Sequence, residues 1–404
     1  YGIKEAPNLY QLGIAHDKGY ILKELERGNI TYYDQPLHHI PFGFPLAIMA
    51  SHKIFSGGDP YYLLAINDVE IMQNAPPGVG LRNFRFDPAI RGKQFYSVIV
   101  PLVSSLLLII MVYFLAKRLY SSENVGLIAM FLMAISPIDI LTSQKVWADD
   151  MTAFLMVLAV LLYIISIQKK MPLLALVGGL SCGASAITKQ SGAFIIFVIV
   201  IWHFVSNFDR LRRKETFLSV VFDKYLILFG LGALAGAAYW FLKVHSVYGS
   251  PIYRPHQPKI AETARTAWFK TVGGRPWPVY LIGIPFQNPL FTLAYISPLF
   301  LWLNKKSAKN TLFGIIWIAV FLYIFQVYLG TGGKELRYML PAYPAFAILG
   351  AYVANYLRVK IDKKAGFSIG TIILVAILAA SVLWCVPMAY NTLFFNGALI
   401  TRPF

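Results

Sequence analysis

The sequence has few charged residues: Asp, Glu, Lys and Arg make up only 14% of its 404 residues, whereas 57% are hydrophobic. So small a charged fraction, set between long apolar runs, excludes an ordinary soluble domain and predicts an all-α polytopic membrane protein. The formal net charge is +17. In a soluble protein this excess would suggest nucleic acid. In a membrane protein it indicates loop charges that set the orientation, so we expect no nucleic-acid partner.

Cysteine and recognisable catalytic motifs are also scarce. Cys182 and Cys385 are the two cysteines and both lie inside apolar runs, so we expect free, packed thiols and exclude a disulfide framework. No glycine-rich phosphate loop, nucleophile elbow or metalloprotease helix motif occurs. His38 has a histidine neighbour but no third ligand nearby, so no metal is required, although a divalent cation is compatible with the sequence. The small-residue pattern Gly230, Gly232 and Gly236 indicates close helix packing rather than a site.

Apolar runs predict about ten spanning helices, preceded by a segment that has none. Residues 1–94 read as an outer-face loop segment with interfacial helices. A transmembrane bundle follows over residues 95–386, with an outer loop at 245–287 within it, and residues 387–404 form an outer-face tail. The chain starts at Tyr1, so we expect a further N-terminal helix before it. The runs lie near 95–116, 125–144, 150–168, 172–188, 192–206, 225–244, 288–304, 311–329, 338–357 and 368–386.

The basic residues between these runs predict which side of the membrane each connection faces. Alternate connections hold sixteen basic residues against five acids, which is typical of cytoplasmic loops, whereas residues 1–94 hold nine of each. The opposite face then takes residues 1–94, the long loop, the tail and the short turns. We therefore expect an integral protein of a prokaryotic inner membrane whose site lies on the extracytoplasmic face. The cytoplasmic cations are Lys117, Arg118, Lys169, Lys170, Arg210, Arg212, Arg213, Lys214, Lys224, Lys305, Lys306, Lys309, Arg358, Lys360, Lys363 and Lys364.

Two adjacent carboxylates, Asp149 and Asp150, stand at the mouth of one apolar run. Acids at a helix start can serve only as caps, but carboxylates at the mouth of a membrane helix also favour a functional interpretation. Cations that break the positive-inside pattern share this face. Snorkelling would explain any one of them, but as a group they favour binding of an anionic lipid headgroup. They are Lys145, Lys189, Arg254, Lys259, Arg265, Lys270, Arg275, Lys334 and Arg337.

Four stretches, in order along residues 10–360, resemble glycosyltransferase family 39 and its relatives, which share the GT-C fold. These relatives include the dolichyl-phosphate-mannose–protein mannosyltransferase-like enzymes and the aminoarabinose transferases. The resemblance implies transfer of a sugar from a polyprenyl-phosphate donor to a hydroxyl of a protein or glycolipid acceptor, with inversion. The stretches are His16-Asp17-Lys18-Gly19-Tyr20 with Gln35-Pro36-Leu37, Ser136-Pro137 with Trp147-Ala148-Asp149-Asp150-Met151, Gly178-Gly179-Leu180 through Thr188-Lys189, and Arg337-Tyr338-Met339-Leu340-Pro341.

The same resemblance implies roles for individual residues. Asp17 would take the proton of the acceptor hydroxyl, and Asp149 or Asp150 would orient the acceptor or hold Asp17 and a cation in place. Fixed cations would stabilise the leaving lipid phosphate. We expect Arg337, Lys189, Arg254 and Lys334 in that role, and Tyr20, His38 and Tyr338 to bind the acceptor or sugar.

Two other functions stay open on the sequence. Lys18 stands where the family usually has a second acid, which favours a non-catalytic scaffold subunit with partners in a membrane complex. A lipid or solute transporter is the third hypothesis. It would place charges deep within its spans and repeat its halves, whereas the charges here cluster at the ends of the spans.

Overall fold

The computed structural model describes residues 43–55, 88–145, 147–207, 220–248, 279–328, 336–365 and 368–394, and these residues form helices and short connections. The α-helices are α1 (Gly43–Phe55), α2 (Pro88–Tyr120), α3 (Glu123–Ala134), α4 (Pro137–Ser143), α5 (Asp149–Gln168), α6 (Pro172–Thr188), α7 (Ile195–Ser206), α8 (Lys224–Tyr248), α9 (Val279–Gln287), α10 (Thr292–Ile296), α11 (Phe300–Leu303), α12 (Ala308–Leu322), α13 (Tyr343–Ala365) and α14 (Ile369–Phe394). Short 3-10 segments are Gln190–Phe194, Pro289–Phe291, Ser297–Leu299 and Leu336–Ala342, and a π-helical turn is Tyr323–Tyr328.

Four helices are long and apolar enough to cross a membrane, and α3 with α4 makes a fifth if the pair is one span. The expectation of an all-helical integral membrane protein is confirmed at this level, with four or five spans in the part of the chain that the structure describes. Shorter apolar helices occupy other predicted runs: Pro172–Thr188, Gln190–Ser206, Lys224–Ala238 and Pro289–Leu303. The four long spans are Val98–Tyr120, Asp149–Gln168, Ala308–Phe325 and Ile369–Tyr390.

A bend of 60° separates α3 from α4. Pro137 is the first residue of α4, and the residue before a proline is driven out of the helical region. Ser136 accordingly has φ −67° and ψ 117°, which is extended. The predicted run 125–144 is therefore helical but broken, and α4 leads into the turn that carries Trp147 and the start of α5.

Helix α13 lies at the centre of the bundle. Every side chain from Tyr343 to Ala354 is buried, and α13 packs against α3, α10, α12 and α14. Two polar side chains in this interior have hydrogen-bond partners, which lowers the cost of burying them in an apolar surrounding. The indole nitrogen Nε1 of Trp317 donates to the carbonyl of Pro341 (2.9 Å), and the Tyr343 hydroxyl donates to Gln287 Oε1 (2.6 Å). The first of these bonds ties the segment Leu336–Ala342, which carries Arg337, to α12.

Helix α6 packs against α8 and α5 at close range. A methyl group at Gly232 would lie 3.0 Å from the Cα of Gly179, and one at Gly236 would lie 2.8 Å from the carbonyl oxygen of Leu180. The predicted close packing is therefore confirmed at Gly232 and Gly236. It is wrong at Gly230, where nothing lies within 4 Å of an added methyl group. The two cysteines are free and buried, as expected.

Candidate functional site

An ion pair joins the start of α5 to the end of α6. The ammonium Nζ of Lys189 donates to Asp149 Oδ1 at 2.5 Å, although the two residues are 40 positions apart. The side chain of Asp149 is 4% exposed and that of Lys189 is 23% exposed. A carboxylate so deeply buried requires a cation beside it. Lys189 thus neutralises Asp149 while its side chain stays partly exposed.

The backbone that follows α6 places Lys189. Its N–H donates to the carbonyl of Ser185 (3.0 Å), and its conformation is extended (φ −154°, ψ 133°), which ends the helix. The carbonyl of Lys189 then accepts from the N–H of Gly192 (2.8 Å), while the Ser185 hydroxyl donates to the carbonyl of Gly192 (3.1 Å). A methyl group at Gly192 would collide with Ser185, so this close turn requires glycine.

Arg337 lies over the aromatic rings beside this ion pair. Its guanidinium carbon Cζ is 4.0 Å from the centroid of the Trp147 ring and 5.1 Å from that of Tyr338. The Tyr338 ring also receives Lys189, whose Nζ lies 5.1 Å from its centroid. Contacts between cations and aromatic faces stabilise both groups where water is partly excluded. Tyr338 therefore contacts both of the cations Lys189 and Arg337, which we expected to bind phosphate.

The resulting group consists of Lys145, Trp147, Asp149, Lys189, Arg337 and Tyr338, and we call it the cation cluster. Lys145 completes it from the other side, with its Nζ 4.7 Å from the centroid of the Trp147 ring. Among the described residues, three cations and one carboxylate lie together here. A positive, partly buried surface with aromatic walls is suited to an anion that carries apolar substituents.

Asp149 and Asp150 have different surroundings, although the sequence could not separate them. Asp150 is fully buried, and its Oδ1 accepts from the hydroxyl of Thr142 at 2.8 Å. Ala148 is the N-cap of α5, and no side chain caps the helix. The two acids therefore occupy the first turn without making the capping hydrogen bond that would have explained them, and Asp149 is the one that belongs to the cation cluster.

The structure brings together Asp149, Lys189, Arg337 and Tyr338 of the residues that we proposed from sequence. Asp150 is described but lies behind the cation cluster. The other proposed site residues lie outside the described residues: Asp17, Tyr20, His38, Arg254 and Lys334. Within the described part of the chain, no group of three or more His, Cys, Asp and Glu side chains could hold a metal ion.

Trp147 and Asp139 were missed as site residues. Trp147 lies in one of the four stretches that resemble the family. Its contact with two cations depends on Arg337, which is far away in the chain. Asp139 is 1% exposed and lies two residues after Pro137, inside an apolar run. An acid within a membrane span indicates a function by itself, so this signal was present in the sequence.

Known proteins resemble this chain in sequence and in fold. An uncharacterized protein of Aquifex aeolicus (strain VF5) is 22% identical over 327 residues, which are 79% of this chain and 61% of that protein. ArnT from Cupriavidus metallidurans in the apo state has a TM-score of 0.53 at 12% identity, with 91% of this chain and 68% of that chain covered. The Archaeoglobus fulgidus oligosaccharyltransferase with a tethered acceptor peptide has a TM-score of 0.52 at 15% identity, with 87% and 46% covered.

The chain thus spans about three fifths of the length of its Aquifex relative, and the two solved structures share its fold. Residues 97–247 match the family described as dolichyl-phosphate-mannose-protein mannosyltransferase. This segment contains α3 to α7, most of α2 and nearly all of α8, and with them Asp149 and Lys189. The resemblance to this family that the sequence predicts is confirmed over residues 97–247.

Proposed function

We propose that this protein is a membrane glycosyltransferase that moves a sugar from a polyprenyl-phosphate donor to an acceptor hydroxyl, with inversion. The family of residues 97–247 supports a lipid-phosphate sugar as the donor. The observation that carries the proposal is the convergence of Asp149, Lys189 and Arg337 from three distant segments of the chain. Their meeting point has the charge and the aromatic walls that a lipid phosphate requires.

Lys189 and Arg337 would bind the phosphate in different ways. An ammonium group has three donor hydrogens, so Lys189 can hold Asp149 with one and an anion with another. A guanidinium group that lies over the Trp147 ring has five donor hydrogens, and its planar fork matches the oxygens of a phosphate. Neither cation would change its place when the negative charge grows on the leaving phosphate, so the stabilisation is preorganised.

The chemical step needs a base as well as this anion site. The acceptor oxygen attacks the anomeric carbon and forms the new glycosidic bond, while the bond from that carbon to the phosphate oxygen breaks and the lipid phosphate leaves. The acceptor proton passes to a carboxylate, for which we propose Asp17. Asp149 orients Lys189 toward the phosphate, and Tyr20, His38 and Tyr338 contact the sugar or acceptor. Arg254 and Lys334 would add charge around the phosphate.

The proposal includes a topology. We propose ten spans, with the cation cluster and residues 1–94 on the extracytoplasmic face, because the basic connections then lie in the cytoplasm. The donor would enter from the surrounding lipid with its isoprenoid chain along the bundle. The acceptor is a protein or a glycolipid, and a membrane complex would bring further partners.

Donor turnover by the full chain tests this function. The full chain in lipid nanodiscs would be incubated with polyprenyl-phosphate-linked mannose, and release of polyprenyl phosphate would be followed with protein and glycolipid acceptors. We expect turnover by the native chain and loss of at least about 100-fold in Asp17→Asn, because a positioned base contributes roughly that much.

Two results would contradict these assignments. Turnover that is unchanged in Asp17→Asn would remove Asp17 as the base. A native chain that binds no donor and releases no lipid phosphate from any tested donor would favour the scaffold subunit. Lys117→Ala serves as the control, because Lys117 also pairs with an acid but lies away from the cation cluster.

A further inference from the structure

A second pair of acids, Asp139 and Asp150, lies buried behind the cation cluster. Asp139 is 1% exposed and Asp150 is fully buried. The two come from different helices, α4 and α5, and their carboxyl groups lie within hydrogen-bonding reach of each other. The proposed transfer mechanism gives this contact no role.

One carboxyl oxygen of each acid has a hydrogen-bond partner. The hydroxyl of Ser105, on α2, donates to Asp139 Oδ2 at 2.7 Å. The hydroxyl of Thr142 lies 2.8 Å from Asp150 Oδ1, and it is also 2.9 Å from the carbonyl of Ile138 and 3.3 Å from that of Asp139. These bonds join α2, α4 and α5 through four buried side chains, those of Ser105, Asp139, Thr142 and Asp150.

The second carboxyl oxygen of each acid has no hydrogen-bond donor among the described residues. Asp139 Oδ1 and Asp150 Oδ2 are buried and receive no hydrogen bond from any donor group of the described residues. Two ionised carboxylates could only repel each other across such a contact, and neither could donate a bond. A single proton placed between these oxygens removes the repulsion and satisfies both of them.

We propose that Asp139 and Asp150 share a proton, and that the resulting hydrogen bond between acids joins α4 to the first turn of α5. Asp139 is then a positioning residue. It holds Asp150, and through the backbone it holds the neighbouring Asp149 in place for Lys189. Asp149 has a cation as its partner and remains the carboxylate of the pair with Lys189. Two adjacent acids thus serve in different protonation states because their neighbours differ.

Infrared spectroscopy of the full chain in nanodiscs tests this proposal. A protonated carboxyl group has a C=O stretch that is separate from those of carboxylates, and carbon-13 at the side-chain carboxyl of aspartate assigns it to that residue type. We expect the native chain at neutral pH to show a label-sensitive aspartic acid band that the double variant D139N/D150N loses. Asp149→Asn should keep the band, which makes it the matched control. No substrate is needed, so this result is independent of the proposed transfer activity.

The same spectra test the positioning role. The carboxylate band of Asp149, assigned by its loss in Asp149→Asn, should shift in Asp139→Ala and stay in place in Asp139→Asn, since the amide can still bond to Asp150. Ser105→Ala leaves both acids in place and should move the aspartic acid band to higher frequency, because one hydrogen bond is removed. If the double variant does not fold, the shift of the aspartic acid band in Ser105→Ala tests whether Asp139 and Asp150 share a proton.

Three results would overturn the proposal. One is the absence of an aspartic acid band in the native chain, and another is a band that is unchanged in D139N/D150N. The third is an unchanged band in Ser105→Ala.

Discussion

The Lys189–Asp149 pair and the Lys117–Glu123 pair have similar bond lengths, 2.5 and 2.6 Å, but different access to water. The side chains of Lys117 and Glu123 are 42% and 67% exposed, against 23% and 4% for Lys189 and Asp149. Exposed ion pairs contribute little, because water screens them and competes for both partners. Removing one partner of a buried pair leaves an uncompensated charge, which is far more costly.

We therefore expect Lys189→Ala to destabilise the protein by about 3 kcal/mol, because Asp149 would be left buried without its cation. The double variant K189A/D149A should recover most of this loss, since neither charge remains. Thermal unfolding in nanodiscs measures both effects, and Lys117→Ala is the control that should leave the melting temperature unchanged. A double variant less stable than Lys189→Ala would show that the pair is not held by charge.

Arg337 allows a separate test of the phosphate site. Arg337→Ala should weaken donor binding about 10- to 100-fold, because a charge-assisted hydrogen bond and the local positive charge are both lost. Arg337→Lys keeps the charge but loses the paired donors and changes the contact with Trp147, so donor binding should be weaker than in the native chain and stronger than in Arg337→Ala. Transfer kinetics with polyprenyl-phosphate-linked mannose would measure this order, with Lys117→Arg as the control. Equal activity of the native chain and Arg337→Ala would remove Arg337 from the site.

At the scale of elements, the end of α6 and the segment Gln190–Phe194 decide where Lys189 stands. The turn is held by Ser185, which bonds to both Lys189 and Gly192. A further constraint is the break between α3 and α4, since it directs the chain toward the start of α5. Both features are consequences of single residues, Gly192 and Pro137.

Gly192→Ala should therefore displace Lys189. The added methyl group would collide with the carbonyl and hydroxyl of Ser185, so the turn must open. We expect a lower melting temperature and weaker donor binding than in the native chain. Gly230→Ala is a matched control on α8, where the methyl group meets nothing within 4 Å and alanine favours the helix by about 1 kcal/mol. If both variants behave alike, the close packing at Gly192 has no part in placing Lys189.

At the scale of the whole molecule, the distribution of basic connections predicts the orientation in the membrane. Gln144, near the cation cluster, should face the outside, whereas Lys170 and Lys306 should face the cytoplasm. All three residues are exposed, and the native cysteines are buried. A background without Cys182 and Cys385 is therefore suitable for single-cysteine labelling.

In this background, Gln144→Cys should react with a membrane-impermeant maleimide in intact cells. Lys170→Cys and Lys306→Cys should react only after the membrane has been permeabilised. The extent of labelling on a gel measures the difference. The reverse pattern would place the cation cluster in the cytoplasm and would exclude an extracytoplasmic transfer reaction.

The sequence by itself determined the class of the protein and the positions of most helices, and it singled out Asp149, Lys189, Arg337 and Tyr338, which the structure brings together. Hydropathy runs and the proline at position 137 act locally, so the sequence shows them without any knowledge of tertiary contacts. Lys189 and Arg337 could also be identified as cations that break the predicted positive-inside pattern, because that pattern depends on composition alone. The same information predicted the free cysteines.

Only the tertiary structure decided how those residues meet. Asp149 and Asp150 are neighbours in sequence, but adjacent residues of a helix point in different directions, so their partners come from different helices. Asp149 meets Lys189 on one side, and Asp150 meets Thr142 and Asp139 on the other. These contacts depend on how α4, α5 and α6 pack, and no local property of the sequence contains that information.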